Sequence, residues 1–317
     1  MDLRHLRYFL AVADELHFGR AAARLHIAQP PLSQQIQRLE RELGLKLFDR
    51  DRRQVRLTRA GELLQVEARR TVAQADRLLD VARDVRSGGS GRVRIGFVGS
   101  SLYGQLPSLL QALRDQAPRI TVSVLELESG PQLAGLAEDT LDLGVIRPPA
   151  GTPSLAVHVI AEEELVVALP KDHPLPAGCP VALADLAAEP FVLFAREHGE
   201  GFWQVVVQAC GLAGFTPRVV FDAEHVHTMV GLVASGMGIS LVPEAVRRLD
   251  LAGVRYERLA DPVPRLPLAL AWDPHRSFPA LERTLEIFTA EARRQRGGVL
   301  VGGTAAASRR AAPSRPR

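Results

Sequence analysis

The chain has 317 residues, 46% of them hydrophobic, which is enough for two or three packed units. It starts with the charged segment MDLRHLRYF and has no apolar run near the ~20 residues of a membrane helix, so we expect a cytoplasmic protein without a membrane partner. The net charge of +3 is uneven: residues 1–59 carry +5, residues 292–317 carry +7, and the residues between them carry −9. A basic N-terminus predicts a polyanionic partner.

Apolar residues predict three short helices in the first sixty residues. The first helix has apolar positions three and four residues apart from Leu3 to Ala13, and the second, about 18–25, is rich in Ala. The third has Leu32, Ile36, Leu39 and Leu43 on one face, with Pro30 and Pro31 in its first turn and Gly44 at its end. Its other face is polar and consists of Ser33, Gln34, Gln37, Arg38 and Arg41.

This exposed polar face has the chemistry of a helix-turn-helix reader. Ser and Gln can donate to and accept from base edges, and Gln can bind adenine in a bidentate manner. Residues 47–58 alternate in the manner of a small hairpin, whose arginines would lie along the phosphate backbone as a wing. Periodicity alone is equally compatible with a solvated three-helix bundle that carries a charged hairpin.

The run LRHLRYFLAVADELHFGRAAARLHIAQPPLSQQIQRLERELGLKLFDRDRRQVRLTRAG, residues 3–61, resembles the winged helix-turn-helix of the LysR-type transcriptional regulators. The resemblance implies that the helix after the Gln-Pro-Pro step reads double-stranded promoter DNA, and that RNA polymerase is a further partner. One position departs from the pattern, since Gln34 stands where similar regulators often have Arg. The DNA-contacting residues that the resemblance implies are Gln29, Pro30, Ser33 and Gln34, with Arg50 and Arg53 on the backbone. The polar face of the helix adds Arg38 to this set.

A long helix is predicted between Thr58 and the Gly/Ser-rich segment 87–91. Thr58 can cap its start, and small or apolar residues alternate at spacings of four and three along about three heptads. A single amphipathic helix lying on the body is the alternative. The resemblance favours a linker helix that forms a dimer and then a tetramer, with two recognition helices roughly 34 Å apart. The predicted seam consists of Leu64, Ala68, Thr71, Ala75, Leu78, Ala82 and Val85.

The rest of the chain predicts an α/β domain. Strands at 93–98, 120–127 and 141–146, separated by helices, make a βαβαβ start, and a second set follows from residue 164. Residues 266–272 and a helix at 280–294 return to the first set. The arrangement resembles the effector domain of LysR-type regulators, two Rossmann-like lobes similar to periplasmic binding proteins. The predicted divisions are a DNA-binding domain 1–58, a linker helix 59–87, a hinge 88–91, an effector domain 92–296 (lobe I 92–161 and 266–296, lobe II 162–265) and a disordered basic tail 297–317.

Ser100, Ser129 and Arg147 follow three successive predicted strands, where ligands bind in α/β folds. Hydroxyls, free backbone amides and one guanidinium suit a carboxylate. Alternatively, the serines only cap helices and Arg147 pairs with an acid. The segments IGFVGSSLYGQLP and LDLGVIR resemble regulators of benzoate, catechol and chlorocatechol breakdown. This resemblance implies an aromatic-derived acid such as cis,cis-muconate as effector, with Ser100 and Ser129 as principal contacts and Arg147, Phe202 and Thr228 as neighbours.

Other chemistry has little support in the sequence. His225 and His227 form an HxH pair with no third ligand at a useful spacing, so we expect no metal and no cofactor besides the effector. Cys179 and Cys210 are expected to be packing residues. No phosphate loop or nucleophile elbow is present, so we expect no enzyme. The competing function is a solute-binding protein without a DNA role.

Overall fold

The computed structural model describes residues 2–51, 54–87, 91–148, 154–196 and 199–302. They divide into two compact units, one of residues up to 91 together with 134–142, and one of residues 92–133 and from 143 onwards. Along the described part of the chain, no helix is sufficiently long and apolar to cross a lipid bilayer.

The N-terminal residues of the first unit form three helices, a hairpin and a long helix, as the sequence predicts. Phe9, Leu32, Ile36 and Leu39 are fully buried between the helices. Complete burial of each such side chain contributes about 1.5–3 kcal/mol. The elements are α1 (Leu3–Glu15), α2 (Phe18–Arg24), α3 (Gln29–Leu43), β1 (Phe48–Asp51), β2 (Gln54–Leu57), which pairs antiparallel with β1, and α4 (Arg59–Ser87).

The two ends of α3 follow the sequence prediction. Pro30 and Pro31 lie in its first turn, where an N–H has no intrahelical partner. Gly44 ends the helix in the left-handed conformation with φ 69°. Before α3, the chain turns at His26, which has φ 55°. The start of α3 is therefore determined by its own sequence, and its direction relative to α2 by the turn.

Glu40 joins α3 to the hairpin. Its side chain is 3% exposed, and Oε1 accepts hydrogen bonds from the backbone N–H groups of Leu47 (2.9 Å) and Phe48 (3.3 Å). Lys46 Nζ lies 3.5 Å from the other carboxylate oxygen. One buried acid thus satisfies two backbone donors where the chain enters β1.

We expect Glu40→Ala to destabilise the first unit by roughly 1–3 kcal/mol, because it leaves buried N–H donors unsatisfied. Hydrogen exchange of the α3 amides in the full chain measures this loss. The matched control is Glu42→Ala on the same helix, whose exposed carboxylate forms an ion pair with Arg38 and whose loss should cost about 0–1 kcal/mol. Equal effects of the two variants would contradict the role given to Glu40.

The N-terminal part of α4 packs against its own unit. Thr58 caps the helix, since its hydroxyl accepts from Gly61 N at 3.0 Å. Ala68 is 2% exposed within the core of α1–α3, and Leu64 packs against the same core. The predicted heptad seam is therefore wrong at these two positions, which are covered by the chain itself. Leu78 is 70% exposed, and the side chains of Ala82 and Val85 lie outside the described ones.

The second unit consists of two α/β lobes. Its elements are β3 (Arg92–Phe97), α5 (Leu106–Gln116), β4 (Thr121–Glu126), α6 (Ser129–Ala137), β5 (Leu143–Ile146), β6 (Ala156–Glu163), β7 (Leu165–Pro170), β8 (Pro190–Phe194), α7 (Glu200–Leu212), β9 (Arg218–Ala223), α8 (Val226–Ala234), β10 (Ser240–Pro243), β11 (Val254–Arg258), β12 (Leu266–Trp272) and α9 (Pro279–Gly302). Five strands make the first sheet in the order β4-β3-β5-β12-β6, with β3 parallel to β4 and β5, and β12 antiparallel to β5 and β6. The second lobe has a three-stranded antiparallel sheet, β10-β7-β11, and the parallel pair β8-β9.

Several sequence expectations need correction. β6 and β11 were not predicted, and both are edge strands whose side chains are partly exposed. Helix α9 continues to Gly302, so the predicted tail does not begin at 297; residues 303–317 and most of the predicted hinge, 88–90, lie outside the described residues. Cys210 is buried as expected, whereas Cys179 is exposed and is not a packing residue.

Candidate functional site

The outer face of α3 presents the residues predicted to contact DNA. Gln29, Pro30, Gln34 and Arg38 are exposed, and Ser33 is half-buried. The opposite face carries the buried side chains Leu32, Ile36 and Leu39. Because packing holds only this inner face, the polar face is free to meet the edges of bases.

Of the three arginines predicted to contact DNA, only Arg38 has a side chain that the structure describes. Arg38 Nε donates to Glu42 Oε1 at 3.0 Å in an exposed ion pair, which water and salt weaken. Arg50 lies in β1 opposite Val55, and its side chain is outside the described ones. Arg53 itself lies outside the described residues. Their predicted contacts with the DNA backbone remain predictions.

Gln35 is a polar residue of α3 that the sequence analysis missed. His5 is buried, and its Nδ1 accepts from Asp2 N at 3.3 Å, which places the ring proton on Nε2. That N–H is 2.9 Å from Gln35 Oε1. The hydrogen bond orients the Gln35 amide, and no short-range pattern signals a pairing between residues 30 positions apart.

A cavity lies between the two lobes of the second unit. It is located where β3, β4 and β5 end, and the chain after β8 with the start of α7 closes its other side. Gly201 allows this close approach, since a Cβ there would meet Pro148 O at 2.6 Å. The lining residues are Val98, Gly99, Ser100, Glu128, Ser129, Arg147, Phe194, Gly199 and Phe202.

Arg147 is the cation of this cavity, and its side chain is 4% exposed. Its guanidinium forms an ion pair with Glu163 and lies 3.4 Å from the carbonyl oxygens of Leu266 and Pro267. Its buried Nε has no hydrogen-bond partner among the described residues. The predicted alternative, pairing with an acid, is therefore found, although the pairing leaves one guanidinium N–H unsatisfied.

Ser100 and Ser129 both use their oxygen atoms to accept from Arg147. Ser100 Oγ accepts from the guanidinium at 3.3 Å, and Ser129 Oγ accepts from the backbone N–H at 3.0 Å. Within the described chain, neither hydroxyl donates to a protein acceptor. A hydroxyl can both donate and accept, so each still has a proton to offer in the cavity. The adjacent Ser101 differs, since its hydroxyl donates to Val98 O at 2.7 Å and it does not line the cavity.

Glu128 is an acid in the cavity that the sequence analysis passed over. Burial raises the pKa of its carboxyl to about 7; Glu126 and Glu224 add to this rise, and Arg147 opposes it. His225 Nδ1 lies 3.8 Å from Glu128 Oε1. The sequence signal for Glu128 was its position directly before Ser129. An acid in a loop is usually exposed to solvent, so this position alone did not indicate a cavity residue.

The structure thus brings together four of the five predicted effector residues. Ser100, Ser129, Arg147 and Phe202 all line the cavity. Thr228 is exposed on α8 and is not among the lining residues, so the cavity does not support its assignment. The rings of His225 and His227 stack with centroids 5.3 Å apart, and the described residues contain no group of three or more potential metal ligands.

The helix-turn-helix with its hairpin, together with the two-lobed unit around a cavity that holds Ser100, Ser129 and Arg147, defines a DNA-binding transcriptional regulator with an effector-binding domain. Residues 3–62 match the bacterial regulatory helix-turn-helix protein of the lysR family, and residues 86–293 match the LysR substrate binding domain. The chain belongs to the LysR family of transcriptional regulators. A solute-binding protein without a DNA role is not favoured.

Individual relatives agree with this family. The transcriptional regulator AlsR of Bacillus subtilis is 38% identical over 82% of this chain and 86% of its own length. The regulator YnfL of Escherichia coli is 38% identical over 93% of this chain and 99% of its own. The crystal structure of CbnR, a LysR family regulator, matches with a TM-score of 0.77 at 30% identity, covering 92% of this chain and 99% of CbnR. CbnR in complex with its target DNA matches with a TM-score of 0.75.

Proposed function

We propose that this regulator responds to a small carboxylate bound between Ser100 and Ser129, and that it controls genes for the breakdown of aromatic compounds. The observation that carries the proposal is the pair of hydroxyl groups whose oxygens are engaged by Arg147 and whose protons have no acceptor among the described residues. A carboxylate accepts several hydrogen bonds and would use both protons.

Two further features support a carboxylate that carries an apolar body. The unpartnered Nε of Arg147 adds a charge-assisted donor. The rings of Phe194 and Phe202, 5.0 Å apart and edge to face, supply an apolar wall on the α7 side. An aromatic-derived acid such as cis,cis-muconate combines a carboxylate with a flat apolar body. The likeness of residues 95–107 and 141–147 to regulators of benzoate and catechol breakdown points to the same class.

The assembly is part of the proposal. Beyond the core of its own unit, α4 exposes the apolar side chains Leu63, Val66, Leu78 and Leu79, part of which a second copy of α4 would cover. We propose a dimer through α4, a tetramer of such dimers on promoter DNA, and a contact with RNA polymerase. For the effector to act, it must bind one arrangement of this assembly more tightly than another.

Footprinting of the purified full chain tests the proposal. The DNA is the region upstream of its own gene and of the divergent neighbour, with and without cis,cis-muconate. We expect a protected site with dyad symmetry whose length or position changes with muconate. A site that is protected identically with muconate and with benzoate, when neither compound binds in calorimetry, would refute the carboxylate effector.

A further inference from the structure

Glu128 places a second carboxylate in a cavity that we propose to hold a carboxylate. Its side chain is only 12% exposed, and it directly precedes Ser129. Arg147 compensates for its charge only in part, because the guanidinium is already paired with Glu163. An ionised Glu128 would therefore repel an anion held by the two serines, and this repulsion is strong in a partly buried site.

The charged groups around Glu128 come from several elements. Glu126 lies at the end of β4, Arg147 follows β5, and Glu224 and His225 lie between β9 and α8. On α7, which also closes the cavity, Glu200 is exposed. Burial raises the pKa of Glu128 to about 7, and the negative charges of Glu126 and Glu224 add to this rise. His225 Nδ1 is buried and has no hydrogen-bond partner within the described residues.

We infer that Glu128 selects the effector by charge: a small carboxylate binds only when Glu128 carries a proton, which it then donates to the bound carboxylate in a hydrogen bond. The inference rests on the proposed function, since it takes the effector to be a carboxylate. The proton comes from solvent and is held by a Glu128 oxygen, and no covalent bond of the effector changes. Protonation converts a repulsion between two anions into a short, charge-assisted O–H···O hydrogen bond.

The sign of the pH dependence follows from the raised pKa. Below about pH 7, Glu128 already carries its proton in the free protein, so the affinity is constant. Above that pH, binding must take up a proton, and the affinity falls about tenfold for each further pH unit. A small carboxylic acid of ordinary pKa, about 4, stays ionised throughout this range and adds no dependence of its own.

Calorimetry of the full chain with cis,cis-muconate tests the inference. Titrations at about pH 6, 7 and 8.5, each in two buffers of different ionisation enthalpy, measure both affinity and proton uptake. We expect uptake to be near zero at the lowest pH, near one-half at the middle pH and near one proton per site at the highest.

Glu128→Gln separates the side chain's charge from its shape. The amide is uncharged and can donate, so we expect pH-independent affinity, no proton uptake and binding about tenfold or more tighter than wild type near pH 8.5. The matched control is Glu286→Gln, an exposed acid of α9 that pairs with Arg283 and does not line the cavity. It should retain the wild-type pH dependence.

Three results would overturn the inference. Muconate binding that is independent of pH removes the role of Glu128 and leaves the carboxylate effector standing. Proton uptake that survives Glu128→Gln but disappears in His225→Gln assigns the proton to the imidazole instead. A wild-type protein that binds neither muconate nor benzoate even near pH 6 removes the proposed carboxylate effector together with this inference.

Discussion

Replacing both Ser100 and Ser129 by Ala should weaken cis,cis-muconate binding at least about a hundredfold and abolish its effect on the DNA footprint. Each hydrogen bond to a charged group contributes roughly 1.5–3 kcal/mol, and the double variant removes two donors. The affinity for the specific DNA site in the absence of ligand should stay unchanged. Calorimetry measures the first quantity and a binding titration with labelled DNA measures the second.

Ser101→Ala is the control for this experiment. Ser101 is adjacent to Ser100 and fully buried, and its hydroxyl donates a hydrogen bond to the backbone oxygen of Val98. Its loss should cost stability without a comparable loss of muconate affinity. Ser129→Ala also leaves the buried Arg147 N–H without its acceptor, so thermal unfolding of each variant must accompany the binding data. A double variant that is folded and binds muconate as tightly as wild type would place the effector elsewhere.

Gln34→Ala should weaken binding to the specific DNA site by about 1–3 kcal/mol, the contribution of a bidentate base contact. Gln34 is exposed, so its removal leaves the core of α1–α3 intact. Because Gln is uncharged, the affinity for unrelated DNA should not change, and the ratio of specific to non-specific affinity should therefore fall. Ser33→Ala should act in the same direction.

A change of base preference gives this prediction a second readout. Gln34→Arg should move the preference at the contacted position from adenine towards guanine, since Arg pairs with the O6 and N7 of guanine. Gln116→Ala, an exposed glutamine at the end of α5, is the matched control. If Gln34→Ala lowered specific and non-specific affinity by the same factor, α3 would not be the element that reads the bases.

Local periodicity explains why the first unit was predicted well. A buried face every three or four residues defines α1 and α3, and Pro30, Pro31 and Gly44 determine where α3 begins and ends, because each acts through the backbone of its own segment. In the second unit the same reasoning found the buried strands and also the mostly exposed β4 and β9, but it missed β6 and β11. β6 and β11 are partly exposed edge strands in which charged residues interrupt the apolar ones, Glu162 and Glu163 in β6 and Arg255, Glu257 and Arg258 in β11.

Long-range packing decided the rest. Ala68 fits a heptad position in the sequence, but it is buried in the core of its own unit. The pairing of Arg147 with Glu163, and its contact with the carbonyl of Leu266 119 positions away, could not be read from spacing. Nor could the 3.8 Å approach of His225 to Glu128.

The sequence by itself determined the helix-turn-helix, the polar face of α3 and the placement of Ser100, Ser129 and Arg147 at the ends of successive strands. These features depend on the 3.6-residue and two-residue periods of helix and strand, which can be read within a single short segment of the sequence. Only the tertiary structure decided which hydroxyl protons stay available, which acid neutralises Arg147 and which acid is buried in the cavity. Burial and partner choice arise between segments far apart in the chain, where packing and not spacing sets the distance between two groups.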